Sequence, residues 1–250
     1  MMMRKAIRRF GVNMKHPTSL FASDRRERQA RGASGIARTA LVGVVLVWGQ
    51  AVAAQEVVVA ALGDSLTQGY GLPADQGFVP QLENWLRAQG SEVTLVNAGV
   101  SGDTTAGGLA RVGWTLTPEV DGMIVALGGN DLLRGLAPEQ ARANLTGILQ
   151  AAQDAEVEVL LIGMEAPGNY GPDYKADFDA IYPELAAEFD TGFLGSFFAG
   201  LTEGDAPADP AQLQTYFQAD GIHPNAEGVS RIVARVGPEV QALVERIAAD

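Results

Sequence analysis

A serine, a histidine and an aspartate stand where they could carry out nucleophilic catalysis together. Ser65 lies in Gly63-Asp64-Ser65-Leu66-Thr67, directly after the apolar run Val57 to Leu62. His223 lies in Asp220-Gly221-Ile222-His223-Pro224-Asn225. A serine hydroxyl is a weak nucleophile until a base takes its proton, and the base needs a group to orient it. The chain has two histidines, and His16 sits in a basic amino-terminal segment, which leaves His223 as the imidazole for Ser65. Asp220 precedes His223 by three residues, close enough for one local turn to bring its carboxylate to the ring. There it would fix the tautomer and stabilise the imidazolium. Asp64 and Asp131 are rival acids, although Asx residues in such turns usually shape the loop. Asp-x-x-His taken alone also describes a helix-capping turn.

These residues need a scaffold that brings them together, and the hydrophobic pattern supplies one. Val57 to Leu62 is short, rich in β-branched and small residues and closed by Gly63, as expected of a strand buried on both faces. Glu92 to Val96, Gly122 to Leu127, Val157 to Met164 and Gly192 to Phe198 read as four further strands. Between them, apolar residues recur at helical spacing: Phe78, Leu82, Trp85 and Leu86; then Ala141, Leu145, Ile148, Leu149 and Ala152. Tyr174, Phe178, Ile181, Tyr182, Leu185 and Phe189 mark a further amphipathic helix. Val229 to Val244 is the last, with a kink or break expected at Gly237-Pro238. Residues 199–219 form a Pro/Asp/Gly-rich connection. Alternation of this kind predicts an α/β protein, a three-layer α/β/α sandwich around a flavodoxin-like parallel sheet of five strands. In such a sheet Ser65 follows the first strand, Gly102 the second and Asn130 the third. All three then meet at the carboxyl edge near the topological switch point.

An α/β-hydrolase elbow would read Gly-x-Ser-x-Gly, and position 67 is threonine. The sequence instead resembles the SGNH (GDSL) hydrolases over nearly all of 56–246. The blocks are Gly-Asp-Ser-Leu-Thr (63–67), Asn-Ala-Gly-Val-Ser-Gly-Asp-Thr (97–104), Gly-Gly-Asn-Asp (128–131) and Asp-Gly-Ile-His-Pro-Asn (220–225). Residues 127–135, 166–171 and 180–190 are similar to the bacterial periplasmic subgroup of acyl-CoA thioesterases, lysophospholipases and arylesterases. The resemblance implies Ser65 as nucleophile, His223 as base and Asp220 as its orienter. It implies an oxyanion hole formed by the Ser65 amide, the Gly102 amide and the Asn130 side chain. It further implies hydrolysis of small-molecule acyl esters or thioesters through an acyl-enzyme, with no cofactor and no metal. A carbohydrate O-acetylesterase is the alternative within the family, and a periplasmic binding protein on a degenerate hydrolase scaffold is the alternative from another class. Substrate contacts are expected from Leu132, from Pro167, Asn169 and Tyr170, and from Tyr216 and Phe217.

Charge divides the chain of 250 residues into two parts. Residues 1–54 hold 10 of the 18 Lys and Arg and 2 of the 30 Asp and Glu. Residues 55–250 therefore carry 8 cations against 28 acids, a net charge of −20. Such a surface repels phosphate backbones, so nucleic acid is excluded as a partner. The basic stretch is followed by the uncharged apolar run Thr39 to Ala54, which ends in Ala51-Val52-Ala53-Ala54. This is the pattern of a secretory signal, with an uncleaved anchor as the competing interpretation. The expectation is a signal over 1–54 and a single hydrolase domain over 55–250. The processed protein is then periplasmic or secreted, monomeric and not inserted in a membrane. Cysteine is absent, which removes disulfides and thiolate chemistry.

Overall fold

The computed structural model describes residues 56–202 and 210–249, and the expected signal over 1–54 lies outside them. Strand β1 (Val57–Gly63) lies in the interior of the sheet, and all its residues except Val58 are buried. It pairs in parallel with β2 (Val93–Gly99) on one side and β3 (Gly122–Ala126) on the other. Beyond β3 come β4 (Glu158–Ile162) and β5 (Gly192–Leu194), giving the order β2-β1-β3-β4-β5. This is the flavodoxin-like five-stranded sheet expected from the sequence. The register places Gly63 opposite both Gly99 and Ala126, so the first three strands end at one level. A switch point between β1 and β3 leaves a crevice there, because the chain departs to opposite sides from neighbouring strands.

In chain order the helices are α1 (Ser65–Gln68), α2 (Phe78–Ala88), α3 (Thr105–Thr115), α4 (Gly129–Leu133) and α5 (Pro138–Asp154). They continue with α6 (Pro172–Asp179), α7 (Ile181–Phe189), α8 (Pro210–Gln214) and α9 (Ala226–Ile247). Helices α2 and α9 pack together on one face of the sheet, while α3, α5 and α7 cover the other. The core between the layers is apolar and holds Phe78, Met123, Ile124, Leu145, Ile148 and Phe178 at no exposure.

Several boundaries differ from the sequence expectation. Strand β2 runs three residues further, to Gly99, so Asn97 and Ala98 belong to the strand and not to the loop. Strand β5 keeps only three residues of the expected run to Phe198. The amphipathic stretch 174–189 is two helices, with α6 ending at Asp179. Pro183 is the cause: it has no N–H to give and its ring collides with the carbonyl four residues back, at Asp179. The connection 199–219 contains a 3₁₀ turn over Ala199–Leu201 and helix α8, and residues 203–209 lie outside the described residues. Helix α9, in contrast, continues unbroken through Gly237 and Pro238. Pro238 and Ala234, the residue whose carbonyl loses its donor, both lie on the exposed side, where solvent can reach that carbonyl. Gly237 faces inward, and a Cβ there would come within 2.5 Å of the Trp85 ring. The pair therefore serves packing against α2 without ending the helix.

Candidate active site

Strand β1 delivers Ser65 to the crevice through a tight turn. The Asp64 carboxylate accepts a hydrogen bond from the Leu66 amide at 3.0 Å and caps α1, whose first residue is Ser65. Gly63 has no Cβ because the Thr67 side chain occupies that space. Gly69, at φ 88°, closes the single turn of helix. Asp64 is 2% exposed, and burial raises its pKa above the ordinary carboxylate value, opposed by the Leu66 and Asn130 hydrogen bonds.

His223 reaches the serine from the other end of the chain. Its Nε2 lies 2.8 Å from Ser65 Oγ, and its Nδ1 lies 2.7 Å from Asp220 Oδ2. The second carboxylate oxygen of Asp220 accepts the Ile222 amide at 2.9 Å and the His223 amide at 3.0 Å. The His223 backbone amide, the His223 ring and the Ile222 amide together hold the Asp220 pKa down to about 2. Helix capping is done by Asn225, whose side chain accepts the Gly228 amide at 3.0 Å, so Asp220 remains free for the imidazole. The Asp-x-x-His turn is thus not the cap of α9.

Gly102 and Asn130 arrive from the neighbouring strands. Gly102 follows β2 in a left-handed conformation, φ 83°, and its amide has no protein acceptor among the described residues. Asn130 is the second residue of α4 and donates one amide hydrogen to Asp64 Oδ2 at 3.2 Å, leaving the other available. Asp131 is 1% exposed, and its carboxylate accepts the Thr105 amide at 2.8 Å and the Thr105 hydroxyl at 2.6 Å. Both rival acids therefore shape loops. Asp64 orients Asn130, and Asp131 ties α4 to the start of α3.

The serine opens onto a cleft of about 850 Å³. Leu66, Leu132, Met164, Tyr170, Phe198 and Phe217 supply much of its wall, and Pro167 and Asn169 also line it. Tyr216 does not. Tyr216 belongs to the turn that follows α8. Phe217 bridges to Pro224 and packs 5.8 Å from Phe198, whereas the Tyr216 ring lies 4.3 Å beneath the Arg231 guanidinium on α9. Two contributors have no motif to mark them. The Tyr70 ring packs 4.6 Å from the His223 ring, and Gln218 Nε2 donates to the carbonyls of Tyr70 and Pro224 at 2.8 and 3.0 Å. Among the described residues there is no cluster of three or more His, Cys, Asp or Glu placed to hold a metal. No described helix is long and apolar enough to cross a membrane.

The chain is similar to known proteins. Residues 61–231 match the model of the GDSL-like lipase/acylhydrolase family. The esterase TesA of Pseudomonas aeruginosa is 39% identical over 78% of this chain and 92% of its own length. Thioesterase 1/protease 1/lysophospholipase L1 of Escherichia coli K12 is 37% identical, over 80% of this chain and 90% of its own. The crystal structure of TesA superposes with a TM-score of 0.66 at 38% identity, covering 74% of this chain and 99% of that one.

Proposed function

Because the chain belongs to the GDSL-like lipase/acylhydrolase family and is an ester hydrolase, we propose that Ser65, His223 and Asp220 are its catalytic residues and that it cleaves carboxylic esters and thioesters through an acyl-enzyme. Ser65 Oγ attacks the acyl carbonyl carbon while His223 Nε2 takes the hydroxyl proton. Negative charge gathers on the carbonyl oxygen, which accepts hydrogen bonds from the Ser65 amide, the Gly102 amide and Asn130 Nδ2. Collapse of the tetrahedral intermediate breaks the bond to the alcohol or thiol, which leaves with the proton from His223. Water, activated by the same imidazole, then releases the acid and frees Ser65.

The observation that carries this reading is the relay of contacts at 2.7 and 2.8 Å from Asp220 through His223 to Ser65, opening on the wide apolar cleft. A cleft with such walls suits acyl chains longer than acetyl, as found in acyl-CoA thioesters and lysophospholipids, and the aromatic leaving group of an aryl ester. It supports the esterase and thioesterase reading over carbohydrate O-acetylesterase. Residues 1–54 act as a cleaved secretory signal in this reading, and residues 55–250 work as a monomer in the periplasm or outside the cell.

A fluorophosphonate probe tests the assignment. The wild type should be labelled stoichiometrically and Ser65→Ala not at all. Equal labelling of the two would leave only a binding protein or a different nucleophile. A series of aryl esters from acetyl to dodecanoyl then reads the cleft. The kcat/KM maximum should fall beyond acetyl, and a maximum at acetyl with preference for acetylated sugars would favour the O-acetylesterase.

A further inference from the structure

Arg111 lies on α3, behind the crevice and not among the residues that line it. Its guanidinium nevertheless grips three separate pieces of the site's frame. Nε donates to Asp103 Oδ2 at 2.6 Å, Nη1 to the Ala98 carbonyl at 2.7 Å and Nη2 to the Gly63 carbonyl at 2.8 Å. Gly63 stands two residues before Ser65. Ala98 is the penultimate residue of β2, and Asp103 directly follows Gly102. One side chain, 17% exposed, thus fastens both the strand end that carries Ser65 and the loop that carries Gly102. Gly107 makes room for the Asp103 carboxylate, with which a Cβ at that position would collide.

Gly102 needs such support. Glycine samples left-handed and right-handed backbone about equally, so φ 83° is not imposed by the residue itself. From the solvent side, Arg134 Nη2 donates to the Gly102 carbonyl at 2.9 Å, but that contact is exposed. We propose that Arg111 is a positioning residue of the oxyanion hole, holding the Gly102 amide and the Ser65 turn in the mutual placement that the transition state requires. This rests on the assignment of Ser65 and Gly102 given above. A planar guanidinium can donate along three directions at once, whereas a lysine ammonium on a thinner stem cannot span the same three acceptors. The chemistry is sensitive to such placement: a displacement of about 1 Å can cost on the order of 100-fold in rate.

Steady-state kinetics on the full chain, with active sites counted by a phosphonate titrant, separate positioning from simple bracing. Arg111→Lys, Arg111→Gln and Asp103→Asn should each lower kcat per titrated site, Arg111→Gln by roughly 10- to 100-fold, with KM changed less than about twofold. Arg111→Lys should recover little of the loss. Assays run well below each variant's melting temperature remove the effect of lost stability. A lower melting temperature with unchanged kcat per site in Arg111→Lys and Arg111→Gln would make the arginine a structural brace and overturn the proposal. Ser65→Ala serves as the control for the underlying assignment. If it keeps full activity, that assignment and this inference fail together; if it is inactive while the Arg111 variants are normal, only the inference fails.

Discussion

In the proposed mechanism Ser65 and His223 handle one proton between them, so their losses cannot multiply. Ser65→Ala and His223→Ala should each lower kcat by roughly 10⁴- to 10⁶-fold, with the double variant little worse than either. Independent losses that multiply would mean the two do not work together. Asn130→Ala removes one oxyanion donor and should cost about 10²- to 10³-fold in kcat with KM nearly unchanged. A raised KM at constant kcat would place Asn130 in ground-state binding instead. Asp220 determines what acidification does. With its pKa held at about 2, it is ionised throughout the range in which the enzyme can be assayed. For stability the sign is that of a depressed acid: the Asp220 contribution is present above 3.8 and is lost as pH falls through about 2. The wild type's stability advantage over Asp220→Asn, followed by thermal unfolding, should shrink across that window.

At the scale of elements, the contact between α2 and α9 makes the sharpest prediction. Alanine is the better helix former, by about 1 kcal/mol over glycine. At Gly237, however, its methyl would press on Trp85 Cε3, Cδ2 and Cζ3 at 2.5 to 2.7 Å. Overpacking of that kind costs about 1–3 kcal/mol and should outweigh propensity. Gly237→Ala should therefore unfold at lower denaturant concentration than the wild type. A gain in stability would mean that α9 does not lie so close to Trp85.

The whole molecule is acidic, and its basic residues are concentrated before residue 55. If residues 1–54 are a cleaved signal, amino-terminal sequencing of the exported protein should begin at Ala54 or Gln55. A full-length product held in the membrane fraction would make Thr39 to Ala54 an anchor. Residues 55–250, at net charge −20, should leave phosphatidylglycerol vesicles unbound at low salt, where an electrostatic attraction would be strongest.

The sequence by itself determined the strand-helix alternation, because buried parallel strands and amphipathic helices have different hydrophobic periods. With that alternation came the meeting of Ser65, Gly102 and Asn130 at one edge, since parallel strands all end on the same side. The Asp220–His223 contact was equally legible, being closed within one turn. Tertiary structure alone decided the rest. Phe217 faces the cleft and Tyr216 faces Arg231, a choice made by the turn after α8 and the bridge from Phe217 to Pro224, which composition does not encode. Helix α9 runs through Gly237-Pro238 because Trp85, more than 150 residues earlier, needs the space and water can reach the Ala234 carbonyl. The partners of Arg111 include two backbone carbonyls, 13 and 48 residues away, and a backbone carbonyl leaves no mark in the residue types. A side chain that acts by holding peptide groups becomes visible only when the strands that present those groups have been laid side by side.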